Sequence, residues 1–472
     1  MKKYLKMLLV TVLSLSLLTM GSAMAFAGEE DIMPINGEKP ANEFNVMLNG
    51  AYVAFTDAVP ANVKGRIMVP YRAMLETLGA EVSWDQATKT VTAATEDTTI
   101  SFVIGKSDIN IVKNGVSSVK KMDVVPYIDP SSNRTFVSTR FMAESLDYTV
   151  GWDHNEKTAV IIDYNTLFAN ADKDFTKIDQ YLKNAQTLPG TAYESLMKAA
   201  VDITIEKEMM ETILGENAAA AEMNISMDGT AVSKDAQMSM DFAMNMNLDE
   251  LVKNLAAASG ETLDAADLEA IAALNDMTVT ACADMEKGDL YFTTNLNALL
   301  GLKEGAWIHM NLNEIYSSMG IDFSGLMDAG MNGNATSVAA MLDMMGEMSA
   351  DMMTVTTYDE MNIAYEAIKA ILGDNNVAVK KVSGGTQYTV DFSNLAKLEG
   401  MEEMAGMISG KMVMVDRADS DDCDMTLIVD LDGMMTMKLS LDTTTATTTK
   451  PVKTLPAGAE VVEFTEIMNA AE

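Results

Sequence analysis

The sequence predicts an α+β protein: a small, duplicated β-hairpin/helix N-terminal domain, then a large antiparallel, half-barrel-like sheet covered by helices. Three observations predict it. One block of residues recurs at a fixed offset, apolar residues fall at every second position in later stretches, and helical spacing falls between those stretches.

The recurrence comes first. Residues 66–93 and 134–161 match at an offset of 68 positions without a gap. Arg66, Val69 and Arg72 match Arg134, Val137 and Arg140. Met74, Glu76 and Leu78 match Met142, Glu144 and Leu146. Val82, Trp84, Asp85, Lys89 and Thr90 match Val150, Trp152, Asp153, Lys157 and Thr158. In each copy a short strand leads into a helix and then a hairpin. Arg66 to Val69 reads as the strand, and Pro70 suits a first helical position, where its missing N–H costs nothing. Tyr71, Met74, Leu75 and Leu78 keep helical spacing, and Gly79 stops the helix. Val46 to Gly50 and Ile111 to Gly115 add hairpins with Asn-Gly at the turn. Arg72 with Glu76, and Arg140 with Glu144, are four apart, as in a surface ion pair worth ~0.3 kcal/mol; a carboxylate or carbohydrate grip is the other reading.

These elements resemble the copper amine oxidase-like N-terminal domain, or stalk domain, of secreted proteins from Gram-positive bacteria. The resemblance covers about residues 44–165. It is carried by Gly65-Arg66-Ile67-Met68-Val69-Pro70-Tyr71-Arg72, by Leu78-Gly79-Ala80-Glu81-Val82-Ser83-Trp84-Asp85 and by Lys89-Thr90-Val91. The second copy departs from the family pattern with Ser138 in place of proline and Asp147 in place of glycine. The resemblance implies a non-catalytic extracellular module. Copper oxidase chemistry needs a histidine cluster, and this chain has two histidines, His154 and His309. No metal and no cofactor are therefore expected.

Residues 166–189 read as a helical linker ended by Pro189-Gly190, with a second helix over Ala192 to Leu214. Residues 190–472 form a methionine-rich α+β domain that holds most of the 42 methionines. Alternation at Met223, Ile225 and Met227 marks a strand. So does alternation at Met238, Met240, Phe242, Met244 and Met246, and from Met277 and Val279 to Met285. Two further strands run from Met425 and Leu427 to Leu431 and from Met435 to Leu441, with Gly433 at their turn. Helices are expected over Asp264 to Leu274, over Met341 to Met352, over Tyr358 to Leu372 and over Asn394 to Ile408. This pattern, with the segment Ala283 to Phe292, Gly305 to Ile308 and Leu455 to Ala459, loosely resembles lipoprotein-carrier (LolA-like) envelope folds over about 190–465. That resemblance implies a curved half-barrel able to hold an acyl chain or other apolar ligand.

Three explanations of the methionines stand open: core packing, the lining of an adaptable apolar cavity, and thioether binding of Cu(I). On the second, the ligand-binding candidates are Met223, Ile225, Met227, Met238, Met240, Phe242, Met244, Met246, Met277, Val279, Met425 and Leu427. Asp416, Asp419, Asp421, Asp422 and Asp424 suit a solvated turn, or oxygen ligation of calcium. No Gly-x-Ser-x-Gly, phosphate-cradling glycine loop or His-Glu-x-x-His occurs, so no catalytic residue is expected.

Residues 1–27 carry Lys2, Lys3 and Lys6, an apolar run from Met7 to Met20, and small residues at Ala23, Ala25 and Ala27. They read as a secretory signal peptide, and no later run is long enough to span a membrane. The formal charge of -36 disfavours nucleic acid. Cys282 and Cys423, the only cysteines, fit one disulfide or two free thiols. The expectation is a secreted, non-catalytic envelope protein. Its partners would be an apolar or lipid-like ligand and a cell-wall component; a structural or adhesive surface protein is the alternative.

Overall fold

A computed structural model describes residues 39–185, 188–215, 218–260, 262–318, 337–349, 353–397 and 406–471. The expected signal peptide and Met352 lie outside them. The fold is α+β, with a large half-barrel sheet. The described residues divide into two compact units, one within residues 28–171 and 341–365, the other within 172–340 and 366–472.

In the smaller unit the two matching segments adopt the same element order. Strand β4 (Arg66–Pro70) leads into a helix, Tyr71–Thr77, and then a hairpin of β5 (Glu81–Asp85) and β6 (Thr90–Ala94). Strand β11 (Arg134–Ser138) leads into Thr139–Glu144 and a hairpin of β12 (Thr149–Asp153) and β13 (Thr158–Ile162). β4 and β11 pair antiparallel with Val69 opposite Val137, which are equivalent residues, so a local pseudo-twofold axis passes between them. Arg66 pairs with Asp123 and, in the other copy, Arg134 pairs with Asp57 at 2.5 Å. Val69, Met74, Leu75, Val137 and Met142 are fully buried in one shared core.

Pro70 ends the strand rather than opening the helix. At the equivalent position Ser138 is an N-cap, its side chain accepting from the Phe141 N–H. Asp147 takes φ +65° where Gly79 has +79°, because a short polar residue tolerates the left-handed region. Each departure from the family pattern therefore keeps the backbone course by another route. Strand β1 (Asn45–Leu48) turns at Asn49-Gly50, both at positive φ, and pairs parallel with β13 of the second copy. Segment 341–365 joins this unit: the Val355 N–H donates to Asp153 Oδ2 at 3.1 Å.

The larger unit is built on one twelve-stranded sheet. Its order is β20 (Val377–Val382), β21 (Gly385–Asp391), β22 (Ile408–Arg417), β23 (Ser420–Leu431), β24 (Met435–Thr447), β14 (Ala192–Ile205), β15 (Ala221–Lys234), β16 (Gln237–Asn247), β17 (Met277–Asp284), β18 (Asp289–Thr294), β19 (Trp307–Asn311) and β25 (Val461–Glu463). All neighbours are antiparallel except β19 with β25.

Two sequence expectations are corrected here. Ala192 to Ile205 is a central strand, not a helix; only Lys207–Leu214 is helical. It bonds to β15 on one side and β24 on the other, so ladder pairing outweighs the helix-forming alanines, methionine and lysine. The helix expected over Asn394 to Ile408 is also corrected. Phe392–Lys397 is a 3-10 turn, Ile408 opens β22, and residues 398–405 lie outside the described residues. Helices at Ala265–Leu274, Val338–Ser349 and Thr357–Leu372 match the expected spans closely.

Candidate functional site

Because side chains alternate along a strand, register decides which residues share a face. One row crosses nine strands: Val377, Val390, Met412, Met425, Leu441, Ala199, Met227, Met244 and Met277. Every member is apolar. Val377 and Val390 at one end are buried, as are Met244 and Met277 at the other. The five between them, on β22, β23, β24, β14 and β15, are half-buried. The face is thus closed at its flanks and accessible across its middle.

The candidate residues divide along this row. Met240, Phe242, Met244, Met246, Met277 and Val279 are buried in a core with Phe292, Ile308, Val252 and Ile467. Met223, Ile225, Met227 and Met238 pack against that core while half-buried. Met425 and Leu427 share the face but lie on β23, separated from the others by β24 and β14. Leu439 and Leu441, read from sequence as an alternating strand, join the same surface, whereas the sequence patterns did not mark Met412, Val201 and Ile203. Their strands' alternation was visible at β24 and obscured at β14 and β22.

Two hollows flank the middle strands. One of ≈ 160 Å³ borders Met197, Gly229, Met240 and Phe242. The other, ≈ 630 Å³, opens against Lys198, Asp228, Thr230, Asp241 and Thr444, whose registers put them on the opposite, polar face. The larger of these two hollows therefore lies on the polar side.

The polar end of the apolar face gathers carboxylates. Asp416 and Asp421 lie opposite each other, and only residues 418–419 separate β22 from β23, so the expected acidic turn is largely strand. Asp421 Oδ1 is buried without a hydrogen-bond partner. Burial, then Asp416 and Asp422, push its pKa up. Burial, with help from Asp421, likewise raises Tyr181, whose ring packs edge-on against Tyr388 at 5.5 Å. Arg417 pairs with Asp422. Among the described residues no group of three or more His, Cys, Asp or Glu is placed to hold a metal.

Cys282 and Cys423 are free thiols. Cys282 faces the polar side opposite Ser239 and Tyr291, and Cys423 faces the apolar side opposite Met414 and Thr443. Four strands lie between theirs, so at ~4.8 Å per strand about 24 Å separates them, far beyond disulfide reach. Burial raises the pKa of both thiols.

Neither histidine stands free. His154 Nδ1 accepts from the Trp152 indole N–H at 3.2 Å. His309 sits between Asp289 Oδ1, at 3.1 Å from Nε2, and Glu463 Oε2, at 2.9 Å from Nδ1. Its ring stacks on Tyr291 with centroids 4.6 Å apart. Among the described residues, no helix is long and apolar enough to cross a membrane.

In sequence comparison no curated protein matches the chain. One segment does match a known family: residues 47–167 fit the model of the copper amine oxidase N-terminal domain, the domain expected over 44–165.

Proposed function

We propose that this is an exported, non-catalytic envelope protein whose larger unit binds an apolar or lipid-like ligand on the middle of its sheet. The duplicated N-terminal domain serves as spacer or wall-contact module. The observation that carries the reading is the cross-strand row that is buried at both flanks and half-buried over Met412, Met425, Leu441, Ala199 and Met227. Covering that surface removes apolar area from water at roughly 25 cal/mol per Å². Unbranched thioethers let it adapt to ligands of differing shape. The sequence resemblance to lipoprotein-carrier folds supports the same reading. The apparent signal peptide and the stalk-type domain support placement outside the cell of a Gram-positive bacterium.

A structural or adhesive role is the second reading, and the small hollow on the apolar face favours it. At ≈ 160 Å³ it falls below the ~300 Å³ that encloses a drug-sized ligand. Native mass spectrometry after gentle purification separates the two. Co-purifying apolar mass, or saturable uptake of a fluorescent fatty acid by stripped protein, supports the carrier. Ligand-free protein that refuses the probe supports the structural role.

A further inference from the structure

The C-terminal segment returns across the polar face of the sheet. Lys450 pairs with Glu194, and Lys453 donates its N–H to Ser239 Oγ at 3.1 Å and its ammonium to Asp241 at 2.5 Å. The Trp307 N–H then donates to Glu460 O at 2.8 Å, and β25 adds to the sheet edge through three paired positions. The following helix, Phe464–Ala471, buries Ile467 in the core, and Val462 and Phe464 pack against it. A three-residue parallel ladder is a weak hold for this segment.

His309 supplies what the ladder lacks. It lies opposite Tyr291 on β18 and Glu463 on β25. Both ring nitrogens face carboxylates, Asp289 on β18 and Glu463 on β25. Asp289 also accepts from Asn311 at 3.0 Å. The other titratable neighbours are Tyr291, Cys282 behind it on β17, and Lys287, which is tied to Asp284 at 2.5 Å. A carboxylate only accepts hydrogen bonds. A neutral imidazole offers one N–H and one lone pair, so it satisfies one carboxylate and repels the other; an imidazolium donates to both.

We propose that His309 is a proton-controlled latch. As imidazolium it ties β25 to β18, and loss of its proton frees residues 461–471 from the sheet edge. Release uncovers Ile308 and Met310, which are 1 % and 7 % exposed with the segment docked. With both ring nitrogens aimed at carboxylates, the latch is tight on the acid side and loosens as pH rises.

Hydrogen–deuterium exchange of the peptide spanning 461–471, corrected for intrinsic rates, tests this between about pH 5 and about pH 8. In the native protein the opening equilibrium should rise by about tenfold or more over that range, the worth of one charged hydrogen bond. His309→Gln should be open and insensitive to pH, and Glu463→Gln should show a smaller response. A flat profile in the native protein, or an undiminished response in Glu463→Gln, would overturn the proposal. The second result decides the matter even if His309→Gln does not fold.

Discussion

Truncating one apolar side chain on the middle strands and one in the buried core of the same sheet separates an open apolar face from a solid one. Leu439 lies on β24 between Val201 and Leu427 and is half-buried. Phe292 lies on β18 and is 1 % exposed. A fully buried phenylalanine cut to alanine costs ~3–5 kcal/mol, since a cavity remains behind. Leu439 has surrendered only part of its ~1.5–3 kcal/mol transfer energy, and solvent fills the gap, so Leu439→Ala should cost ~1 kcal/mol. The lost contact reappears in binding as roughly fivefold weaker uptake of a fatty-acid probe. Urea unfolding at constant slope measures the first quantity, and probe titration measures the second. If Leu439→Ala costs as much as Phe292→Ala and leaves probe uptake unchanged, the middle strands are closed core and the reasoning fails.

Three further predictions follow from particular residues. Gly410 has φ +136°, and a Cβ there would come within 2.0 Å of the Thr426 carbonyl oxygen. Gly410→Ala should cost ~2–5 kcal/mol by forcing β22 from β23; an unchanged melting temperature would contradict the register. Asp421 has a raised folded-state pKa, so its contribution to stability is full below the unfolded value and is lost as pH rises through the folded one. Asp421→Asn should therefore melt higher than the native protein at neutral pH and lose that advantage in acid; thermal scans across pH check both. Asp129 is held at about 2 by the hydroxyls of Ser131 and Ser132 and the Ser132 N–H. The turn's contribution is present above the ordinary aspartate value of ~3.9 and is lost as pH falls through the folded value. An NMR titration of Ser132→Ala should place the Asp129 carboxyl closer to its ordinary value; no change would refute the assignment.

The N-terminal domain was legible because its constraint is local and stated twice. Trp84 with Trp152 and Asp85 with Asp153 sit at fixed distances from a strand and a helix, and no distant partner is needed to read them. Strands β16, β23 and β24 were legible because one face is apolar and the other polar. Strand β14 was not. Leu196 and Ala200 lie on its polar side, blurring the period, and the pairing with β15 and β24 comes from residues up to about 250 positions away. Likewise Gly410 on the apolar side of β22, and Val413 and Val415 on its polar side, break the pattern there. The candidate residues were chosen by alternation, which identifies a face but not its exposure. That is why Met277 and Met425 looked alike in sequence, although one is fully buried and the other half-buried. The return of segment 341–365 to the smaller unit left no local signal, because Asp153 meets Val355 across 202 positions.

The most direct measurement is photolabelling of the intact protein with a diazirine-bearing fatty acid, followed by peptide mapping. The account predicts saturable adducts on the middle strands, at Met412, Met425, Leu439, Leu441 and Met227, and none at Phe292. Absence of saturable labelling, or adducts confined to the polar face around Asp228 and Thr230, would contradict it.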